Sequence, residues 1–248
     1  MTSIPLVIVA HGSRDPRSAA TVRALTDVTR AAAPGVDVRA AFLDLSEPSV
    51  AEVLTGLHAE GHREVVAVPL LLGRAYHARV DLPALVDEVT SRLPRLSVTI
   101  ADVLGADPLL EAVALDRLAA TGADTADPAL GVVLGAVGSS HATANAVVAR
   151  LARDWENRHG CLVVPAFASA ARPDVPAAVA KLRARGARRF AVASWFLAPG
   201  LLPDRIQDLI TTAAPGSPVA GPLGAEPRVA EVVLARYTSA LAASARTA

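Results

Sequence analysis

"GVVLGAVGSS", residues 131–140, restates "PLVIVAHGSR", residues 5–14. In both stretches a run of β-branched and small apolar residues stops at a glycine and a serine, and helix-forming residues follow. The pattern predicts a strand, a tight turn and a helix. The match continues in order along the chain. "CLVVPAFASAARPDV" (161–175) answers "VDVRAAFLDLSEPSV" (36–50), and "GARRFAVASWFL" (186–197) answers "GHREVVAVPLLL" (61–72). "LGAEPRVAEVVLARY" (223–237) answers "LGADPLLEAVALDRL" (104–118). The offset stays at about 125 residues, far too long for a solenoid repeat and the right size for a duplicated domain.

Within each copy, short β-branched runs alternate with segments whose apolar residues recur every three or four positions, as in Val22, Leu25, Val28 and Ala32. Such alternation predicts βαβ units and hence an α/β fold, with helices flanking a mostly parallel open sheet. In the first copy the strands are expected in "PLVIVA", "VDVRAAFL", "EVVAVPLLL" and "LSVTIADV". Two similar lobes follow from the duplication, residues 1–120 and 130–248, separated by the breaker-rich "ATGADTADPA" around residues 120–129. A cleft between the lobes is the expected place for a small ligand.

Composition narrows the function. Twenty-four basic residues balance 24 acidic ones, which removes the electrostatic footprint of nonspecific nucleic-acid binding. No apolar run is long enough to span a bilayer and no secretory signal pattern opens the chain, so a cytoplasmic protein without a membrane partner is expected. Cys161 is the sole cysteine, expected as a buried thiol, and it excludes a disulfide framework or a Cys-rich metal site. Metal chemistry would fall to histidine and carboxylate.

The two copies differ where chemistry would sit. His11 follows the first strand, Glu47 the second and His77 the third, so all three are expected at the carboxyl edge of the sheet, where ligands of open α/β sheets bind. The aligned positions of the second copy hold Val137, Arg172 and, within a residue or two, Leu202. Loss of the polar set from one copy argues that folding does not need it. Plainer roles compete: a turn cap for His11, a loop residue for His77 and a helix N-terminal carboxylate for Glu47. His58, His62 and His159, at helix ends or in adjoining turns, are expected to be solvated.

The motifs "AHGSRDPRS", "FLDLSEPSV" and "VPLLLGRAYHARVDLP", in this order within a duplicated chain, resemble the class II tetrapyrrole chelatases, the family of the sirohydrochlorin cobalto- and ferrochelatases. The resemblance implies a two-lobed enzyme that inserts a divalent metal into a cyclic tetrapyrrole without ATP, in siroheme or cobalamin biosynthesis. It implies that His11 and His77 hold the incoming metal, with Glu47 assisting. The metal, Fe2+, Co2+ or Ni2+, would be substrate, and no tightly bound cofactor is expected. A monomer is expected, because duplication supplies in one molecule what a symmetric dimer of half-length chains would supply.

The chemistry fits these residue types. Two imidazoles and a carboxylate bind borderline divalent ions while leaving coordination positions open, so the ion can be passed on. Neutral imidazole, whose ordinary pKa is about 6.5, also accepts a pyrrole proton, and insertion should slow in more acidic solution. For the carboxylates of the ring, Gly12, Ser13 and Arg14 offer amides, a hydroxyl and a guanidinium at a helix start, and Gly138, Ser139, Ser140 and His141 offer the equivalent turn of the second lobe. His141 reads equally as an ordinary N-terminal helix residue. Arg74, Arg79, Arg172 and Arg205 are further carboxylate candidates, each with a solvated surface role as its simpler account. A phosphohistidine phosphatase is disfavoured because Ala10, not arginine, precedes His11, and Ser13 lacks a nucleophile elbow. No P-loop or dinucleotide fingerprint implies ATP or NAD. The alternative to an enzyme is an intracellular tetrapyrrole or metal carrier using the same residues.

Overall fold

A computed structural model describes residues 3–73 and 81–247. Strands β1 (Leu6–Ala10), β2 (Val38–Phe42), β3 (Glu64–Pro69) and β4 (Ser97–Ile100) form one parallel sheet in the order β2-β1-β3-β4. Strands β5 (Leu130–Ala136), β6 (Leu162–Phe167) and β7 (Arg189–Ser194) form a second, in the order β6-β5-β7. The helices among the described residues are α1 (Pro16–Ala32), α2 (Val50–Ala59), α3 (Leu82–Arg92), α4 (Pro108–Ala119), α5 (Ala142–His159), α6 (Val175–Ala184), α7 (Leu201–Ala213) and α8 (Pro227–Thr247). The α/β class and the duplication are therefore as the sequence predicts. A fourth strand in the second sheet is reduced to a bridge between Val192 and Val219. Pro218 precedes Val219 and has no N–H to extend the ladder.

The central strands are buried on both faces: Leu6 to Ala10 and Leu130 to Ala136 contain no exposed position. On one face of the first sheet, Val7, Val9, Val65 and Ala67 pack with Leu54, Leu57 and Val86 of α2 and α3. In the second, Val133, Val164 and Val192 pack with Val179, Leu182, Ile206 and Ile210 of α6 and α7. Local chemistry starts the helices. Asp15 caps α1 by accepting from the Arg17 N–H at 2.9 Å, and Ser49 and Glu52 form a capping box on α2.

The packed units do not coincide with the expected lobes. One unit comprises Met1–Asp107 with Ala225–Ala248, the other Pro108–Gly224. The closing helix of each copy is thus exchanged: α4 packs on β7, whereas α8 packs on α1, β3 and β4. The sequence division at 120 and 130 marks the repeat, and the stretch at 120–129 is a connection inside the second unit. The chain passes between units at Asp107–Pro108 and Gly224–Ala225, within the matched "LGADP" and "LGAEP" segments. Among the described residues, no helix is long and apolar enough to cross a membrane.

In the second unit, Glu156 of α5 accepts from the Val163 N–H at 3.0 Å and from both terminal nitrogens of Arg185 at 3.0 and 2.7 Å. The Arg185 guanidinium, with the Val163 amide, holds this carboxyl below its usual range, against the effect of burial. A depressed carboxylate contributes stability that is present above its ordinary pKa and is lost as pH falls through the lower folded value. Glu156→Gln is expected to lower the urea midpoint at pH 7, and the gap to wild type is expected to close as pH falls below about 4.

Candidate active site

The order β2-β1-β3-β4 sends the chain to one side of β1 for β2 and to the other for β3, so the carboxyl ends of β1 and β3 flank the crevice where ligands of open parallel sheets bind. His11 is the first residue beyond β1 and is half-buried, with Nδ1 shielded from solvent. Its carbonyl accepts from the Asp44 N–H at 2.9 Å, one step beyond the Leu43-to-Ala10 bond, so the turn after β1 is laced to the loop after β2.

Gly12 makes this lacing possible. Its φ is +94°, and a Cβ there would lie 1.7 Å from the Asp44 carbonyl oxygen. Only glycine satisfies both conditions. Gly12→Ala is expected to cost about 3 kcal/mol of stability, from left-handed strain added to a backbone clash, read as a lowered urea midpoint at unchanged slope.

Ser13 is engaged in holding the turn. Its N–H donates to Ser46 Oγ at 3.2 Å, its carbonyl accepts from the same hydroxyl at 3.2 Å, and its own Oγ accepts from the Asp15 N–H at 3.0 Å. Its amide, which the sequence reading offers to a ligand, is thus paired within the turn. Arg14 is exposed at the start of α1. Glu47 is exposed in the loop ahead of α2, and its carbonyl accepts from Arg23 Nη2 at 2.8 Å. Ser49 is the cap and Glu52 the acidic residue of the first turn, so the helix-terminus account of Glu47 does not hold. His77, Arg74 and Arg79 lie outside the described residues. Leu70, the residue after β3, donates its N–H to the Val9 carbonyl at 2.8 Å.

The second unit repeats the turn with Val137 in the place of His11. Ser169 N–H donates to the Val137 carbonyl at 2.9 Å, as Asp44 does to His11. Gly138 has φ +85°, and a Cβ there would lie 2.1 Å from the Ser169 carbonyl oxygen. Asn145 pins the turn through both ends of its amide, to Ser139 N–H at 2.9 Å and Ser139 carbonyl at 2.7 Å, while Ser139 Oγ accepts from His141 N–H at 3.1 Å. Ser140 and His141 are exposed, and His141 is the N-cap residue of α5, although its side chain makes no cap bond. Arg172 stands at the Glu47 position, because Phe167 N–H donates to the Pro173 carbonyl as Phe42 N–H does to Pro48, each at 2.9 Å.

Leu202 is not the counterpart of His77. It is the second residue of α7, next to Pro203, as Leu82 stands next to Pro83 in α3. Six residues, 195–200, separate β7 from α7, against twelve, 70–81, between β3 and α3, so the second copy is shorter where the first carries His77. His58 and His159 are half-buried with Nε2 shielded from solvent, not solvated as expected. His62 lies with Asp37 and Glu60, ligand atoms within 4.8 Å of one another, the sole such group among the described residues. It is at the amino end of the sheet, and Arg39 pairs with both carboxylates, raising the guanidinium pKa and lowering that of Glu60. The arginine already supplies the cation. The sequence did not point to Ser46 or Asn145 as turn pins, since the groups they hold are backbone atoms of another loop.

Two parallel α/β units, each with a glycine turn at its carboxyl edge and only one with a histidine directly before that glycine, define a duplicated chelatase-like protein. A family model described as CbiX matches residues 5–121 and again 131–240. The chain belongs to the CbiX family. It is 24% identical over 213 residues to the sirohydrochlorin cobaltochelatase of Priestia megaterium, covering 83% of this chain and 68% of the relative. It is 26% identical over 133 residues to the sirohydrochlorin ferrochelatase of the same organism, covering 52% and 49%. The structure of SirB from Bacillus subtilis with Fe3+ superposes with a TM-score of 0.82 at 23% identity, covering 98% of this chain and 97% of that one, which establishes the shared fold.

Proposed function

We propose that this chain inserts Fe2+ or Co2+ into sirohydrochlorin or a closely related tetrapyrrole, without ATP, as a step toward siroheme or cobalamin. One observation carries this reading: of two matched turns in a chain with CbiX matches over both repeats, the first places a histidine, His11, directly before its glycine, at the end of β1 where the sheet opens, and the second places Val137 there. The relatives named as sirohydrochlorin cobalto- and ferrochelatases supply the substrate class.

In this reaction the metal ion is a substrate. As a divalent ion enters the ring, two pyrrole N–H protons leave, and the charge balances. His11, with His77 and Glu47, holds the ion; as the ion passes to the ring, one proton goes to a side chain it leaves and the other to solvent. A set of two imidazoles and one carboxylate leaves coordination positions open to the ring nitrogens. Arg14, exposed at the start of α1, receives a ring carboxylate, and the Gly138–His141 turn of the second unit offers donors of the same kind. Ni2+ shares the ligand preferences and is accepted as well. The protein works as a cytoplasmic monomer with no nucleic-acid or membrane partner and no resident cofactor.

The test is anaerobic incubation with sirohydrochlorin and Co2+ or Fe2+, followed by absorption spectroscopy. Conversion of many equivalents per protein is expected. Conversion limited to one equivalent would make the protein a carrier, and no binding of the ring would overturn both readings.

A further inference from the structure

The copies also differ on the flanks of their sheets. In the first unit Arg23 of α1 lays its guanidinium 5.6 Å from the centroid of the Phe42 ring while donating to the Glu47 carbonyl at 2.8 Å. Counted from the N-caps Asp15 and His141, the Arg23 position is Ala149 in α5. Phe167 and Arg172 keep the places of Phe42 and Glu47. Where the long side chain is missing, a cavity of about 340 Å³ opens between α5, β6 and α6.

Its lining has two characters. Val163 and Phe167 are buried and Ala149 half-buried, which gives an apolar floor; Arg153, Arg172 and Lys181 are exposed at the rim, and no acidic residue among the described ones lines it. Arg172 pairs with Asp174, whereas Arg153 and Lys181 form no ion pair among the described residues. The first unit reverses two of these charges and lacks the third: by the same count from the N-caps, Arg153 answers to Asp27, Arg172 to Glu47 and Lys181, the chain's lone lysine, to Gly56. An apolar hollow whose rim carries two cations without an acidic partner among the described residues, Arg153 and Lys181, selects a ligand with a flat apolar body and an oxyanion at one end.

We propose that this cavity is a binding site for a small organic oxyanion, with an aromatic carboxylate as the simplest member of the class. The site lies wholly within the second unit, and the proposal does not depend on the chelatase reading.

Calorimetric titration of the full chain with 2-naphthoate tests it, with the uncharged 2-naphthamide as comparison. Naphthoate is expected to bind, the amide to bind at least about tenfold more weakly, and Arg153→Ala and Lys181→Ala each to weaken naphthoate about fivefold. Ala149→Arg, which rebuilds the first unit's filled hollow, is expected to abolish binding. Lys181→Glu, at an exposed position, gives the same loss if the arginine is not accommodated. Absence of naphthoate binding to the wild type overturns the proposal. So does binding that is equal for the amide, or that survives both Ala149→Arg and Lys181→Glu unchanged.

Discussion

His11→Ala is expected to lower the rate of metal insertion about a hundredfold or more, because it removes a group that both ligates the ion and accepts a proton near it. The loss should not come from unfolding. His11 is half-buried beyond the end of β1, and the turn is held by backbone bonds to Asp44 and by Ser46, none of which uses the imidazole. Thermal stability is therefore expected within about 1 kcal/mol of wild type. His141→Ala is the comparison: exposed at the N-cap of α5, in the unit whose turn carries Val137 in place of a histidine, it is expected to act on ring binding, raising KM with kcat little changed. Initial rates followed by the absorption change, at saturating Co2+ and varied sirohydrochlorin, separate the two. A wild-type rate in His11→Ala would remove the metal-handling role from the first turn.

Much of this was legible in the sequence because strand and turn chemistry is local. The run Leu6–Ala10, buried throughout, and the obligatory glycines at 12 and 138 are readable from residue type alone, and the internal match carried the strand pattern from one copy to the other. The site was legible to the extent that it follows β1 and β2 directly. What was not legible depends on partners distant in sequence. Ser13 reads as a free donor until the loop after β2 returns with Ser46 beside it. Leu202 aligns with the region of His77 only if the loop after β7 is given a length it does not have. The exchange of α4 and α8 is invisible for a physical reason. Both helices follow the same "LGA" turn, with Gly105 at φ +69° and Gly224 at φ +72°, and both present a similar apolar face, so pattern alone does not decide which sheet each covers.

That exchange sets up the second large effect. Truncation after Gly224 removes α8, and with it Val229, Ala230, Val232, Val233 and Tyr237, all buried. At about 1.5–3 kcal/mol for each fully buried valine, with the tyrosine in addition, the loss is comparable to the whole stability of an ordinary domain, about 5–15 kcal/mol. Specific bonds go with it. Arg236 donates to the Val103 and Leu104 carbonyls at 3.0 and 2.8 Å and pairs with Asp107 at 3.0 Å, and Tyr237 donates to the Ile4 carbonyl at 2.5 Å. These partners all belong to the first unit, so the truncated chain is expected to lose hydrogen-exchange protection across residues 3–107, His11 turn included, while residues 108–224 keep a cooperative transition. A division into consecutive lobes would give the opposite result, because α8 would then support the second sheet. Lost protection at β5, β6 and β7 with β1, β2 and β3 intact would restore that division and refute the exchange.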